Sequence, residues 1–213
     1  MRVTHGTCAL VTGASRGIGR ALAEAIAARG ATVGLAARSA EELESLAAEL
    51  PGSHHVLPCD VTDAAAVAVA VDTFVRRAGT LDLVVAGADV SHHEPFRAQP
   101  LERALSMSEV NWHGTLFTVH AALPALLARA AGHIVVVSSS AGLHSFPGAA
   151  VYGATKAAQR AFAEALRREL DGTGVSVTVV RAGEIARGPH APDRSPAWYR
   201  AGEAASPHAL AAR

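Results

Sequence analysis

"VTGASRGIGRALAEA", residues 11–25, is the stretch on which the fold turns. It starts inside an aliphatic run, "TCALVT", and passes without a break into an alanine-rich segment of helical character. Gly13, Gly17 and Gly19 sit at the junction, in the spacing G-x-x-x-G-x-G. Glycines placed there allow a tight turn and let backbone N–H groups close on an anion at the helix N-terminus. An ordinary strand-to-helix turn also uses glycine, so the motif takes its weight from its surroundings.

Those surroundings alternate. "TCALVT", "ATVGLAA", "HHVLPC", "LDLVVA", "HIVVVS" and "VSVTVV" read as six strands. Helical periodicity occupies 17–29, 40–50, 63–78, 101–130 and 150–171 between them. Continuous apolar strands separated by helices imply a parallel sheet covered on both faces. The expected fold is therefore α/β, a Rossmann-like doubly wound parallel sheet of about six strands, with ligands at the carboxyl ends of the strands. No repeat or linker divides the chain, so residues 1–213 are expected to form a single Rossmann-type domain.

Composition narrows the partners. The 213 residues are 50% hydrophobic and 18% charged with zero net charge, which describes a globular chain and argues against nucleic acid or an anionic membrane. No apolar run is long enough to span a bilayer, and "MRVTHG" leads straight into the first strand without a signal-peptide-like apolar region. With only Cys8 and Cys59, no disulfide framework is expected, and the location expected is cytoplasmic. Eleven histidines include the pairs His54–His55 and His92–His93, but these lack the spacing of a zinc site, so no metal is expected.

Arg38 closes the second strand about 20 residues past the glycines, where an acid would take a ribose 2′-hydroxyl and an arginine suits a 2′-phosphate. Ala36 and Ala37 supply no acid, and Arg16 within the glycine turn adds a second positive group. A solvated surface arginine is the plainer reading of either residue, but the missing acid favours NADP(H) over NAD(H).

Lys156 is the single lysine of the chain and Asn111 its single asparagine. Lys156 follows Tyr152 by four residues on one helix, so both side chains share a face. An ammonium beside a phenol favours the phenolate, which suits a tyrosine to acid–base work near neutral pH. Ser138–Ser140 end the fifth strand shortly before, where hydroxyls would face the ligand crevice.

"TGASRGIG", "CDVTD", "VNWHG", "VVVSSSAG" and "YGATK", in this order, resemble the short-chain dehydrogenase/reductase family in its simple single-domain form, over roughly residues 7–185. The resemblance implies a catalytic tetrad of Asn111, Ser139, Tyr152 and Lys156. Tyr152 would exchange a proton with the substrate oxygen and Ser139, at the family's usual interval before it, would hydrogen-bond that oxygen. Lys156 would hold the nicotinamide ribose and tune the tyrosine, and Asn111 would support a relay water. Gly13, Ser15, Arg16, Gly17, Ile18 and Gly19 would hold the cofactor phosphates, with Arg38 on the 2′-phosphate. Asp60 and Val61 would meet the adenine, Ala86 and Gly87 the adenosine ribose, and Gly183 and Ile185 the nicotinamide end, alongside Tyr152 and Lys156.

The family pattern breaks in three places. Its N-N-A-G after the fourth strand reads Ala86–Gly87–Ala88–Asp89, so hydrogen bonds that usually stabilise the strand are expected to be absent. Its P-G after the sixth strand reads Ala182–Gly183, and Arg187 stands where a threonine is usual. The chain ends at "SPHALAAR", so residues 184–213 are expected to form only part of a substrate-covering segment, with the family's seventh strand missing. His92, His93, Phe96, His144, Phe146, Trp198 and Tyr199 are candidates for the substrate side or for ordinary packing. A homodimer through helices 101–130 and 150–171 is the pairing the resemblance suggests.

The expected function is hydride transfer between NADP(H) and a small-molecule carbonyl or secondary alcohol, with the tyrosine as general acid/base. The alternative is a weak or inactive nucleotide-binding sensor or scaffold of the same fold. An epimerase or dehydratase acting on a nucleotide-sugar would call for a larger substrate domain.

Overall fold

Each apolar run becomes a strand: β1 (Cys8–Thr12), β2 (Thr32–Ala37), β3 (His55–Pro58), β4 (Leu83–Ala86), β5 (Gly132–Ser139) and β6 (Val175–Ala182). The computed structural model describes residues 1–183, so the expectations for 184–213 lie outside the described residues. All strands pair in parallel, in the order β3-β2-β1-β4-β5-β6. Winding runs outward from β1 to β3 and then, in the other direction, from β4 to β6. The switch between β1 and β4 opens a crevice at their carboxyl ends, the expected Rossmann-like arrangement.

Alternation along each strand feeds two cores. Ala9, Val11, Val33 and Leu35 point to the face covered by α1 (Gly17–Ala27) and α2 (Ala40–Glu49). Leu10, Val84, Ile134 and Val136 point to the face covered by α3 (Ala64–Ala78), α5 (Gly114–Ala128) and α6 (Ala150–Glu169). The starts of α2 and α3 are set by short polar side chains that take up otherwise unpaired N–H groups. Ser39 Oγ accepts from the Glu42 N–H at 3.2 Å, and Asp63 Oδ1 accepts from Ala65 and Ala66 at 2.8 and 3.1 Å. Gly79, with φ of 80°, ends α3 in a left-handed cap.

Phe74 of α3 is fully buried, and its ring occupies the space left by Gly34, where a Cβ would lie 2.6 Å from it. Phe74→Ala is expected to cost ~3–5 kcal/mol of stability through the cavity left behind, read as a lower midpoint in denaturant unfolding.

The long helix expected over 101–130 is not regular. α4 (Leu101–Met107) passes through a π-helical turn at Ser108–His113 before continuing as α5. Within that turn the Asn111 carbonyl accepts from Thr115 Oγ1 at 2.7 Å and from Gln159 Nε2 of α6 at 2.8 Å. The two donors share that carbonyl, and such widened turns often mark functional places. Among the described residues, no helix is long and apolar enough to cross a membrane.

Candidate active site

A cleft of about 1130 Å³ runs along the carboxyl ends of β1, β2, β4 and β5. The glycine turn forms one wall. An added Cβ at Gly19 would stand 2.1 Å from the Gly13 carbonyl oxygen, so the helix start and the strand end close on each other only because that side chain is absent. Gly17 differs: its φ is +59° and an added Cβ would meet nothing within 4 Å, so its outer side is open. No side chain caps the first turn of α1 and no acid lies in it, which leaves the positive end of the helix toward the cleft.

The far end of the cleft is polar. Arg16 and Arg38 are both exposed on its rim, and among the described residues neither forms an ion pair. Arg20, by contrast, is committed to Glu24 and Glu49, at 2.8 and 2.5 Å. Glu42 and Asp60 are acids that line this end. Asp60 turns one oxygen onto the N–H and hydroxyl of Thr62, both at 2.9 Å, and so fixes the loop after β3. Cys59 beside it is pushed up to about 11 by burial first, then by Asp60 and Asp63, so it stays a neutral thiol without nucleophilic character.

The segment after β4 is held from two sides. Thr12 Oγ1 accepts from the Gly87 N–H at 3.2 Å. Asn111, completely buried, accepts from the Val90 N–H at 2.8 Å and donates from Nδ2 to the Val90 carbonyl at 2.9 Å and to Thr155 Oγ1 at 3.2 Å. One amide thus joins the π-helical turn, this segment and α6.

At the near end, α6 presents Tyr152 and Lys156 one turn apart. Tyr152 is buried against Met107 and Ala141, and the His93 ring meets it edge-on with centroids 5.2 Å apart. Lys156 is only 1% exposed, and its Nζ lies 5.5 Å from the Tyr152 ring centroid. That ammonium donates to the Val137 carbonyl at 3.1 Å and pairs with Asp89 Oδ1 at 2.9 Å. The serines divide their work. Ser138 Oγ donates to the Lys156 carbonyl at 2.9 Å and pins α6 to β5. Ser139 Oγ accepts from the Ala141 N–H at 3.2 Å, which keeps its own proton available, and it lines the cleft.

The sequence profile of the short chain dehydrogenase family matches residues 7–195. This chain belongs to that family. The glycine betaine reductase ATRR of Emericella nidulans is 40% identical over 184 residues, which span 85% of this chain and 14% of that protein. An uncharacterized oxidoreductase of Staphylococcus aureus is 36% identical over 186 residues, 87% of this chain and 80% of its relative. Among solved structures, a metagenomic short-chain oxidoreductase in complex with NADP superposes with a TM-score of 0.84 at 27% identity, covering 99% of this chain and 90% of that one.

For a short chain dehydrogenase, the residues present suit a nicotinamide dinucleotide. Gly17 opens outward at an uncapped helix start, where a pyrophosphate would find backbone N–H groups, and Arg16 and Arg38, without an ion pair among the described residues, line the same cleft. Gly13, Ser15, Arg16, Gly17, Ile18, Gly19, Arg38, Asp60, Val61, Gly87, Ser139, Tyr152, Lys156 and Gly183 all line the cleft. Ala86 does not: it is buried at the end of β4, and Gly87 and Ala88 form the wall instead. Asn111 lies behind the cleft, with its amide and its carbonyl both occupied. His92 lines the cleft, whereas Phe96, His144 and Phe146 do not. Ile185, Arg187, Trp198 and Tyr199 lie outside the described residues. Among the described residues there is no cluster of His, Cys, Asp or Glu able to hold a metal ion.

Two contacts escape the sequence. Thr12 meets the backbone after β4, where the lost asparagines were expected to leave a gap. Asp89 meets Lys156. The only sequence signal for either was the altered motif itself.

Proposed function

We propose that this protein is an NADP(H)-dependent oxidoreductase that interconverts a carbonyl compound and a secondary alcohol, with Tyr152 as general acid/base. The observation that carries the reading is the convergence of Tyr152, Ser139 and buried Lys156 at one end of a cleft whose other end holds Arg16 and Arg38. When bound, the nicotinamide would supply or accept the hydride at the substrate carbon. Ser139 hydrogen-bonds the substrate oxygen and orients it. Tyr152 gives that oxygen a proton during reduction and removes one during oxidation. Lys156, held by the Val137 carbonyl and Asp89, keeps a positive charge beside the phenol and steadies negative charge on its oxygen. Asn111 acts through position, since its hydrogen bonds fix both the segment bearing Asp89 and the helix bearing Tyr152. Pairing of two copies through the helical stretches 101–130 and 150–171 belongs to the same reading, with exposed Leu101 and Leu105 on the first of them.

A panel of ketones and secondary alcohols, assayed with NADPH, NADH and their oxidised forms, tests the activity. At least one pair is expected to turn over with the phosphorylated cofactor. Cofactor binding without turnover on any member would favour a nucleotide-binding sensor. The preference for the 2′-phosphate is expected to be at least ~tenfold in Kd, which needs only about 1.4 kcal/mol from a charge-assisted contact. Arg38→Ala is expected to erase most of that preference. Equal affinities for NADPH and NADH in the unaltered protein would remove Arg38 from the phosphate.

A further inference from the structure

Asp89 is the one acidic side chain that reaches Lys156 among the described residues. The resemblance places a glycine at this position, yet no positive φ requires one here. The residue follows Gly87 and Ala88 on the cleft wall, and its side chain is 34% exposed, so it faces the cleft as well as the lysine. Asn111 bonds both the N–H and the carbonyl of neighbouring Val90, which fixes the backbone that aims Asp89.

Donor counting shows what this arrangement leaves. An ammonium has three N–H donors and no acceptor. Lys156 gives one to the Val137 carbonyl and one to Asp89 Oδ1, so one remains. A ribose presents two neighbouring hydroxyls, each able to donate and accept. One ammonium donor satisfies one of them as an acceptor. The other can donate, and a carboxylate has a second oxygen that accepts. Carboxylates serve ribose hydroxyls in this way at the adenosine end of many dinucleotide sites.

On the reading of the cleft given above, we propose that Asp89 is a cofactor-holding residue of this chain. Its carboxylate takes one N–H of Lys156 and accepts a hydroxyl of the nicotinamide ribose, so the diol is held between a carboxylate and an ammonium. The same pairing keeps a buried lysine from standing alone before the cofactor arrives, when an unpaired charge would be costly. The nearby titratable groups are His92 on the cleft wall, His93 against the Tyr152 ring and Tyr152 itself. None of them is a carboxylate that could replace Asp89.

Calorimetric titration with two probes tests this. NADPH carries the nicotinamide ribose, and 2′,5′-ADP carries only the adenosine end. Asp89→Ala is expected to weaken NADPH by at least ~tenfold, as loss of a charge-assisted hydrogen bond implies, while 2′,5′-ADP stays within about twofold. Asp89→Asn keeps the shape and one acceptor without the charge, and is expected to give a smaller loss on NADPH with 2′,5′-ADP again unmoved. Unchanged or tighter NADPH binding in both variants would overturn the proposal, because the carboxylate would then only compete for Lys156. An equal loss on both probes would overturn it too, since Asp89 would then be supporting the shape of the whole cleft. Retained 2′,5′-ADP binding also certifies that a variant is folded. If the unaltered protein bound neither probe, the cofactor assignment itself would fail, which is a different result from either of these.

Discussion

Tyr152→Phe is expected to lower turnover by roughly 10²–10⁴-fold, the range a positioned general acid/base contributes. NADPH affinity is expected to stay within about twofold, so the loss falls on kcat rather than on cofactor binding. The reason is geometric. The ring is buried against Met107, Ala141 and the edge of His93, and phenylalanine preserves all of that packing. Only the hydroxyl goes, and with it the proton route. Steady-state turnover on a substrate found by the panel, paired with NADPH titration, measures both quantities. A fully active variant would exclude the tyrosine mechanism, while equal losses in turnover and NADPH affinity would assign Tyr152 to cofactor binding.

Lys156→Arg is expected to lower turnover by on the order of 10²-fold, the penalty for misplacing a catalytic group by about an ångström, and to weaken NADPH by less. The charge is kept, but the site is built for a compact ammonium. Nζ fits between the Val137 carbonyl and Asp89 at 3.1 and 2.9 Å, and the side chain has almost no access to solvent. A guanidinium is planar and wider, and it must displace one of those partners or push α6 away from β5. The Ser138 hydroxyl, which bonds the Lys156 carbonyl, ties the same two elements and would resist such a movement. Turnover retained at the unaltered level would show that charge alone, and not its placement, is what the site requires.

Much of the site was legible because its residues are rare in this chain or bound to a fixed spacing. The single lysine, four residues after a tyrosine, predicted the shared helix face that α6 presents. The glycine turn could be read because only glycine tolerates the contact at Gly19, and the positive φ at Gly17 favours glycine. Asn111 was legible as a residue of interest, but its contacts were not. Its amide bonds to Val90 and Thr155, 21 and 44 positions away in sequence, and no local pattern encodes those distances. The choice of Ser139 among three serines rested on the family interval. The structure adds a separate reason, in that the Ser138 hydroxyl is already spent on the Lys156 carbonyl.

The sequence by itself determined the class of fold, because alternating apolar strands and amphipathic helices bury their surfaces in few ways. Strand and helix positions followed from periodicity, as β1–β6 and α1–α6 bear out. Tertiary structure alone decided three things. It set the strand order β3-β2-β1-β4-β5-β6, since pairing depends on crossovers that no single segment specifies. It placed a π-helical turn within 101–128, where the Asn111 carbonyl accepts from Gln159 of α6, 48 positions further along, a contact that no local pattern encodes. It also turned Asp89 from a departure in a motif into the partner of Lys156, 67 positions further along. Local preference is written into each segment, but an ion pair between two segments exists only once the sheet has brought them together.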